Sequence, residues 1–174
     1  MRLGSRRLPG AGAIVVLAIA VAVLILGRDG DDGSNDDLEP LDTTRAQVVR
    51  VIDGDTIEVA LDGSTEDVRY IGIDTPESVA PGQPVECYGR RAAGANERLV
   101  GGTTARLLIG AEPRDPYGRL LAYVHVGRTF VNAELVRRGF ARTLTIAPNT
   151  DRAALFDRIE ARAAGAGRGL WGAC

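Results

Sequence analysis

Residues 49–77, VRVIDGDTIEVALDGSTEDVRYIGIDTPE, decide how this chain folds, because they set three alternating apolar runs against two short turns dense in carboxylates. Asp53-Gly54-Asp55 falls between two of those runs and reads as a hairpin turn, from which Asp55 is expected to point into solvent with a carboxylate able to hold a cation. Asp74-Thr75-Pro76-Glu77 ends the third run, in which Val68, Tyr70, Ile71 and Ile73 surround Arg69. If that run pairs with the first hairpin, Asp55 and Asp74 meet at one end of a small barrel with Arg69 and Glu77 close by. Two carboxylates suit a hard cation, and so few protein ligands leave room for waters and a phosphate oxygen.

Further runs continue the pattern. Residues 46–52, 56–61, 66–73, 103–109 and 119–126 are rich in Val, Ile, Leu and Thr and are separated by Gly and Asp turns, which predicts five strands. Helical spacing is present at about Tyr88–Val100, Val131–Arg138 and Thr150–Ala164, the last opening with Asn149 or Thr150 as N-cap and Asp151 in its first turn. The expectation is an α+β domain: a five-stranded barrel with three helices. A second charged turn, Asp115-Pro116-Tyr117-Gly118, delivers Arg119 to the start of the last strand.

Outward from this body the composition changes. Arg2, Arg6 and Arg7 precede 20 uncharged residues from Leu8 to Gly27, close to the ~20 needed to span a bilayer as a helix. No cleavage region follows the apolar stretch, so residues 1–27 are expected to be an uncleaved transmembrane anchor, with secretion after signal cleavage as the alternative. Basic residues before the span and acids after it place the remainder outside the cell, on a single-pass membrane protein. The stretch after it, RDGDDGSNDDLEPLD, carries seven acids and one Arg. Residues 28–45 therefore read as an acidic, solvated tether, and residues 46–174 as the folded domain.

The chain has no lysine, and all 21 of its basic residues are Arg. Residues 43–174 carry a formal charge of only +1, which excludes the strongly basic body of a tight duplex binder. His125 is the only histidine and is expected on an exposed strand, and no His or Cys cluster suggests zinc. Cys87 and Cys174 are the only cysteines, and export to an oxidising compartment predicts that they form a disulfide. Trp171 is expected to pack the C-terminus onto the core, and a monomer is expected.

Taken in order and spacing, VIDGDTI, VRYIGIDTPE, ECYG, DPYGRLLAYV, VNAELVRRGFA and the final GLW resemble the staphylococcal nuclease family over about residues 46–173. The resemblance implies an OB-fold barrel with three helices and a calcium-dependent phosphodiesterase acting on DNA and/or RNA. It puts the calcium carboxylates on Asp55 and Asp74 with the Thr75 carbonyl beside them, the catalytic Arg, Glu and Arg on Arg69, Glu77 and Arg119, and a phosphate-neighbouring tyrosine on Tyr117. Release of a 5′ hydroxyl is implied with it. Two stretches depart from the family. The loop Ser78–Val85 carries no positive charge, and Arg142–Ala147 has no aromatic residue where the family places some near the base. The reading from another class is a catalytically inactive, membrane-tethered OB module that binds nucleic acid or protein, which the loss of any one of the five ionic residues would have favoured.

Overall fold

A computed structural model describes residues 43–78, 82 and 84–174. The expected span and tether, residues 1–27 and most of 28–45, lie outside the described residues. Among those described, no helix is long and apolar enough to cross a membrane.

The strands are β1 (Thr43–Val51), β2 (Thr56–Leu61), β3 (Ser64–Tyr70), β4 (Gly72–Asp74), β5 (Thr104–Arg114), β6 (Leu120–Val126), β7 (Thr129–Phe130) and β8 (Arg142–Leu144). The helices are α1 (Gly89–Val100), α2 (Val131–Arg137), α3 (Ala153–Gly165) and a terminal turn, α4 (Leu170–Ala173). The main sheet runs β3-β2-β1-β5-β6-β7, and β3 also pairs with β6, so strands β1, β2, β3, β5 and β6 close on themselves. This is the five-stranded barrel with three helices expected from the sequence, with α4 added. All pairings along the sheet are antiparallel except the closing one, β3 with β6, which is parallel in the register Val68↔Leu120, Arg69↔Leu121 and Tyr70↔Ala122.

Alternation dictates the barrel interior. Ile57 and Val59 of β2, Val68 and Tyr70 of β3, Leu107 of β5 and Val124 of β6 all point inward and are essentially inaccessible. Each such side chain contributes about 1.5–3 kcal/mol by leaving water. Helix α2 and the Phe156 face of α3 cover the remaining opening with Val131, Leu135 and Val136.

Four local expectations are corrected. The predicted strand 66–73 is broken into β3 and β4 at Gly72, whose φ is +80° and whose Cβ, if it had one, would lie 2.4 Å from the Phe156 ring. That turn peels Asp74 away from the barrel to pair with β8, in the register Asp74↔Arg142. Helix α3 begins at Ala153 with Arg152 as an N-cap that makes no side-chain capping bond. Asn149 is spent elsewhere: its amide exchanges two hydrogen bonds with the backbone of Glu112, at 2.9 and 3.0 Å. His125 is half-buried rather than exposed and stacks on Phe130 at 4.6 Å. Leu170, 2 % exposed, is the buried anchor of the C-terminus, while Trp171 is only half-buried and receives Arg142 over its ring at 4.2 Å.

Candidate active site

The Asp53–Asp55 turn joins β1 to β2, and the Tyr70 amide closes its far side by donating to the Asp55 carbonyl at 2.9 Å. The Asp55 side chain points inward and is held there by Thr56, Arg69 and Thr75. Asp55 is 1 % exposed, which corrects the expectation of a solvent-directed carboxylate. Its Oδ2 accepts from the Thr75 amide at 2.7 Å and the Thr75 hydroxyl at 2.9 Å, while its Oδ1 accepts from the Thr56 hydroxyl at 3.2 Å. Burying a carboxylate is costly unless it is paired and hydrogen-bonded, and the pairing here comes from Arg69, whose guanidinium forms an ion pair with Asp55 Oδ1. Arg69 also donates to Asp74 Oδ1 at 2.6 Å and to the Ile73 carbonyl at 3.3 Å.

Asp53 completes the turn by accepting the Asp55 amide at 3.0 Å. Burial raises its pKa above the ordinary carboxylate value, and the nearby Glu77 charge adds to this, while Arg69 opposes them. Behind the turn, the Asp53 carbonyl accepts from Asn96 Nδ2 at 3.0 Å, and Asn96 Oδ1 accepts from the Tyr70 hydroxyl at 2.9 Å. Burial pushes the Tyr70 hydroxyl well above its usual pKa, so it acts only as a neutral donor.

Arg119 reaches the same end of the barrel from the other side. The parallel register pairs Arg69 with Leu121, two positions after Arg119, and Arg69 and Arg119 line one cleft of about 650 Å³. Asp115 fixes it twice, accepting the Arg119 amide at 3.0 Å and its Nε at 2.7 Å, and it also accepts the Tyr117 amide at 3.0 Å. Tyr117 is 85 % exposed at the cleft mouth, with the Arg119 guanidinium over its ring at 5.5 Å. The turn is braced from below by Arg114, which donates to the Gly118 carbonyl and to both oxygens of Glu66. Opposite stand Leu144 and Ile146, both exposed, so the wall beyond the charged end is aliphatic.

Glu77 lies just past β4 on the far side of Thr75 and Pro76, half-buried, with Oε1 accepting its neighbour's amide at 2.8 Å. The structure thus brings Asp55, Arg69, Asp74 and Thr75 into direct contact, puts Arg119 and Tyr117 on the adjoining cleft, and leaves Glu77 at the edge of the carboxylate cluster. Asp115 and Asn96 were not singled out from the sequence as functional. An Asp four residues before an Arg, across a Pro-Gly turn, was a usable signal for Asp115. Asn96 had none, since a polar residue on a helix reads as surface until the fold buries it.

The donor set fits a hard cation. Asp55 Oδ1 and Asp74 Oδ1 both face one positive group, the Arg69 guanidinium, and carboxylate oxygens are ligands that a hard cation takes. Among the described residues no cluster of three or more Asp, Glu, His or Cys could enclose a metal. A cation here would therefore rely on neutral oxygens, such as the Thr75 carbonyl, and on water.

Comparison with known proteins bears on what this cluster does. The family described as "Staphylococcal nuclease homologue" matches residues 67–173. Thermonuclease of Staphylococcus intermedius is 38% identical over 162 residues, covering 91% of this chain and 95% of its own length. Thermonuclease of Staphylococcus hyicus is 34% identical over 158 residues, covering 91% and 94%. Endonuclease YncB of Bacillus subtilis is 43% identical over 103 residues, 58% of this chain and 49% of that protein.

Proposed function

This chain belongs to the staphylococcal nuclease family, and from that footing we propose that it is a calcium-dependent nuclease hydrolysing phosphodiester bonds of DNA and/or RNA with release of a 5′ hydroxyl. The observation that carries the proposal is the joining of Asp55, Arg69 and Asp74 into one ion-paired cluster at the lip of a cleft that Arg119 also lines. A phosphodiester resists attack because its anionic oxygens repel a nucleophile, so a catalyst must neutralise charge and hold water in line. Calcium held by Asp55, Asp74 and the Thr75 carbonyl would supply positive charge and hold a phosphate oxygen.

The protein's own groups do the rest. Arg69 and Arg119 present planar donors that bind the phosphate more strongly as charge builds on its equatorial oxygens. Glu77 orients or deprotonates the attacking water. Tyr117 lies beside the phosphate at the cleft mouth. The aliphatic wall of Leu144 and Ile146 offers a base an apolar surface without aromatic stacking, which is worth roughly 1 to 3 kcal/mol per base where it is present.

A fluorescent oligonucleotide assay on single-stranded DNA, duplex DNA and RNA tests the proposal. Cleavage is expected to require calcium at about 0.1–10 mM, since open extracellular sites bind it weakly, with Kd of about 0.1–1 mM. Full activity in excess chelator would refute it, as would activity that depends on zinc.

The domain is further proposed to work outside the cell on an uncleaved N-terminal anchor, on the strength of the uninterrupted 20-residue apolar run behind three arginines. Fractionation should find the chain with membranes. Recovery mainly from culture supernatant, with one new N-terminus near residue 20 or beyond, would overturn this.

A further inference from the structure

Glu77 belongs to no helix or strand, following Pro76 after β4 has ended, yet orienting a water molecule requires a fixed carboxylate. The backbone of Glu77 is fixed by the segment just before α1. The Glu77 amide donates to Glu86 Oε2 at 3.0 Å, and the Glu77 carbonyl accepts the Glu86 amide at 2.9 Å, so both backbone polar groups of Glu77 are held by one residue. Three residues on, α1 begins at Gly89, which is buried and pressed against the same carbonyl. A Cβ there would lie 2.3 Å from Glu77 O, 2.9 Å from its carbon and 3.0 Å from Pro76 O. These are backbone atoms and cannot swing aside as a side-chain tip would.

The segment making these contacts is itself tied down. Cys87, next to Glu86, is bonded to Cys174. Tyr88, next to Gly89, takes a left-handed φ of 74° and stacks on Phe140 at 5.5 Å, with Arg91 over its ring at 5.3 Å. Left-handed backbone is uncommon for a bulky residue and persists where its surroundings hold it. Here it sets the sharp turn that brings Gly89 against Glu77.

We propose that Glu86 and Gly89 are positioning residues for Glu77: one grips its backbone and the other sets how near helix α1 approaches it. The inference rests on the reading of Glu77 as the group that orients the attacking water. Among the described residues, Glu86 bonds to Glu77 and Gly89, and Gly89 abuts Pro76 and Glu77, so their loss should lower turnover and leave substrate and cation binding in place.

The test uses the full-length chain, solubilised in detergent if membrane-bound, with kcat and KM on a fluorescent oligonucleotide at saturating calcium. Terbium luminescence reports cation affinity and circular dichroism reports melting. G89A is expected to lower kcat about 10- to 100-fold, the scale of a displacement near 1 Å. E86A is expected to lower kcat about 10-fold with KM and terbium affinity within about threefold of the parent. E86Q should recover most of the loss, since its amide oxygen still accepts the Glu77 amide. Glu86 is an exposed side chain, so E86A keeps the test decisive if G89A does not fold. Parent-like kcat in E86A overturns the proposal, as does a kcat loss that travels with equal losses of terbium affinity and melting temperature. A parent chain that cleaves nothing in calcium sinks the nuclease reading itself, a result distinct from an active parent with indifferent variants.

Discussion

Arg69 and Arg119 show how differently two residues of one type are held at one site. Arg69 is enclosed by carboxylates, with Asp55 on one side and Asp74 on the other. Arg119 is steered from its stem by Asp115, which takes its Nε. Lysine at either position keeps the charge and loses the planar fork that matches a phosphate. Arg69→Lys and Arg119→Lys are therefore each expected to lower kcat by about 100-fold or more, the scale of losing an oriented donor to developing charge, with KM changed far less. Steady-state kinetics on an oligonucleotide would check this, and near-parent turnover in either variant would remove that arginine from the catalytic set. The types and order of these residues were legible in the sequence, whereas their partners were not. Asp55 reads as an exposed turn residue because nothing in Asp-Gly-Asp reveals that Arg69 and Thr75, far along the chain, will enclose its carboxylate.

Helix α1 registers the two acidic turns against each other. Asn96 on its buried face holds the Asp53 carbonyl, and Gly89 at its start meets Glu77. The Tyr70 hydroxyl holds Asn96 in turn, and both residues are within 1 % of full burial. Tyr70→Phe removes that donor and leaves a buried amide oxygen short of a partner, which costs about 1–3 kcal/mol. Urea unfolding of the variant should show a loss of that size with an unchanged m-value, and an unchanged midpoint would mean that water replaces the bond. Periodicity placed α1, α2 and the barrel strands within a few residues, except that β5 runs on to Arg114 beyond the expected end at residue 109. It missed the break at Gly72 and the start of α3, because the first depends on the Phe156 ring beneath the chain and the second on Asn149 bonding to β5 instead of capping the helix.

At the scale of the molecule, two long-range links complete the fold: the β3–β6 pairing and the Cys87–Cys174 disulfide, with Cα atoms 6.0 Å apart across 87 positions. Closing a loop of that length stabilises by about 4 to 5 kcal/mol in the chain-entropy model. Adding reductant, or substituting Cys174→Ser, should lower the melting temperature clearly, and an unchanged melt with two titratable thiols under non-reducing conditions would sink the pairing. The sequence by itself determined the five barrel strands and three main helices, the ionic residues and their order, and the candidate disulfide, because alternation, turn chemistry and cysteine count are local properties or sums over the chain. Only the tertiary structure decided that Arg69 and Arg119 share a cleft, that Asp55 is buried, and that Glu77 is held by Glu86 and Gly89. Each of these depends on which distant backbone groups meet once the barrel closes, and residue spacing carries no record of that register.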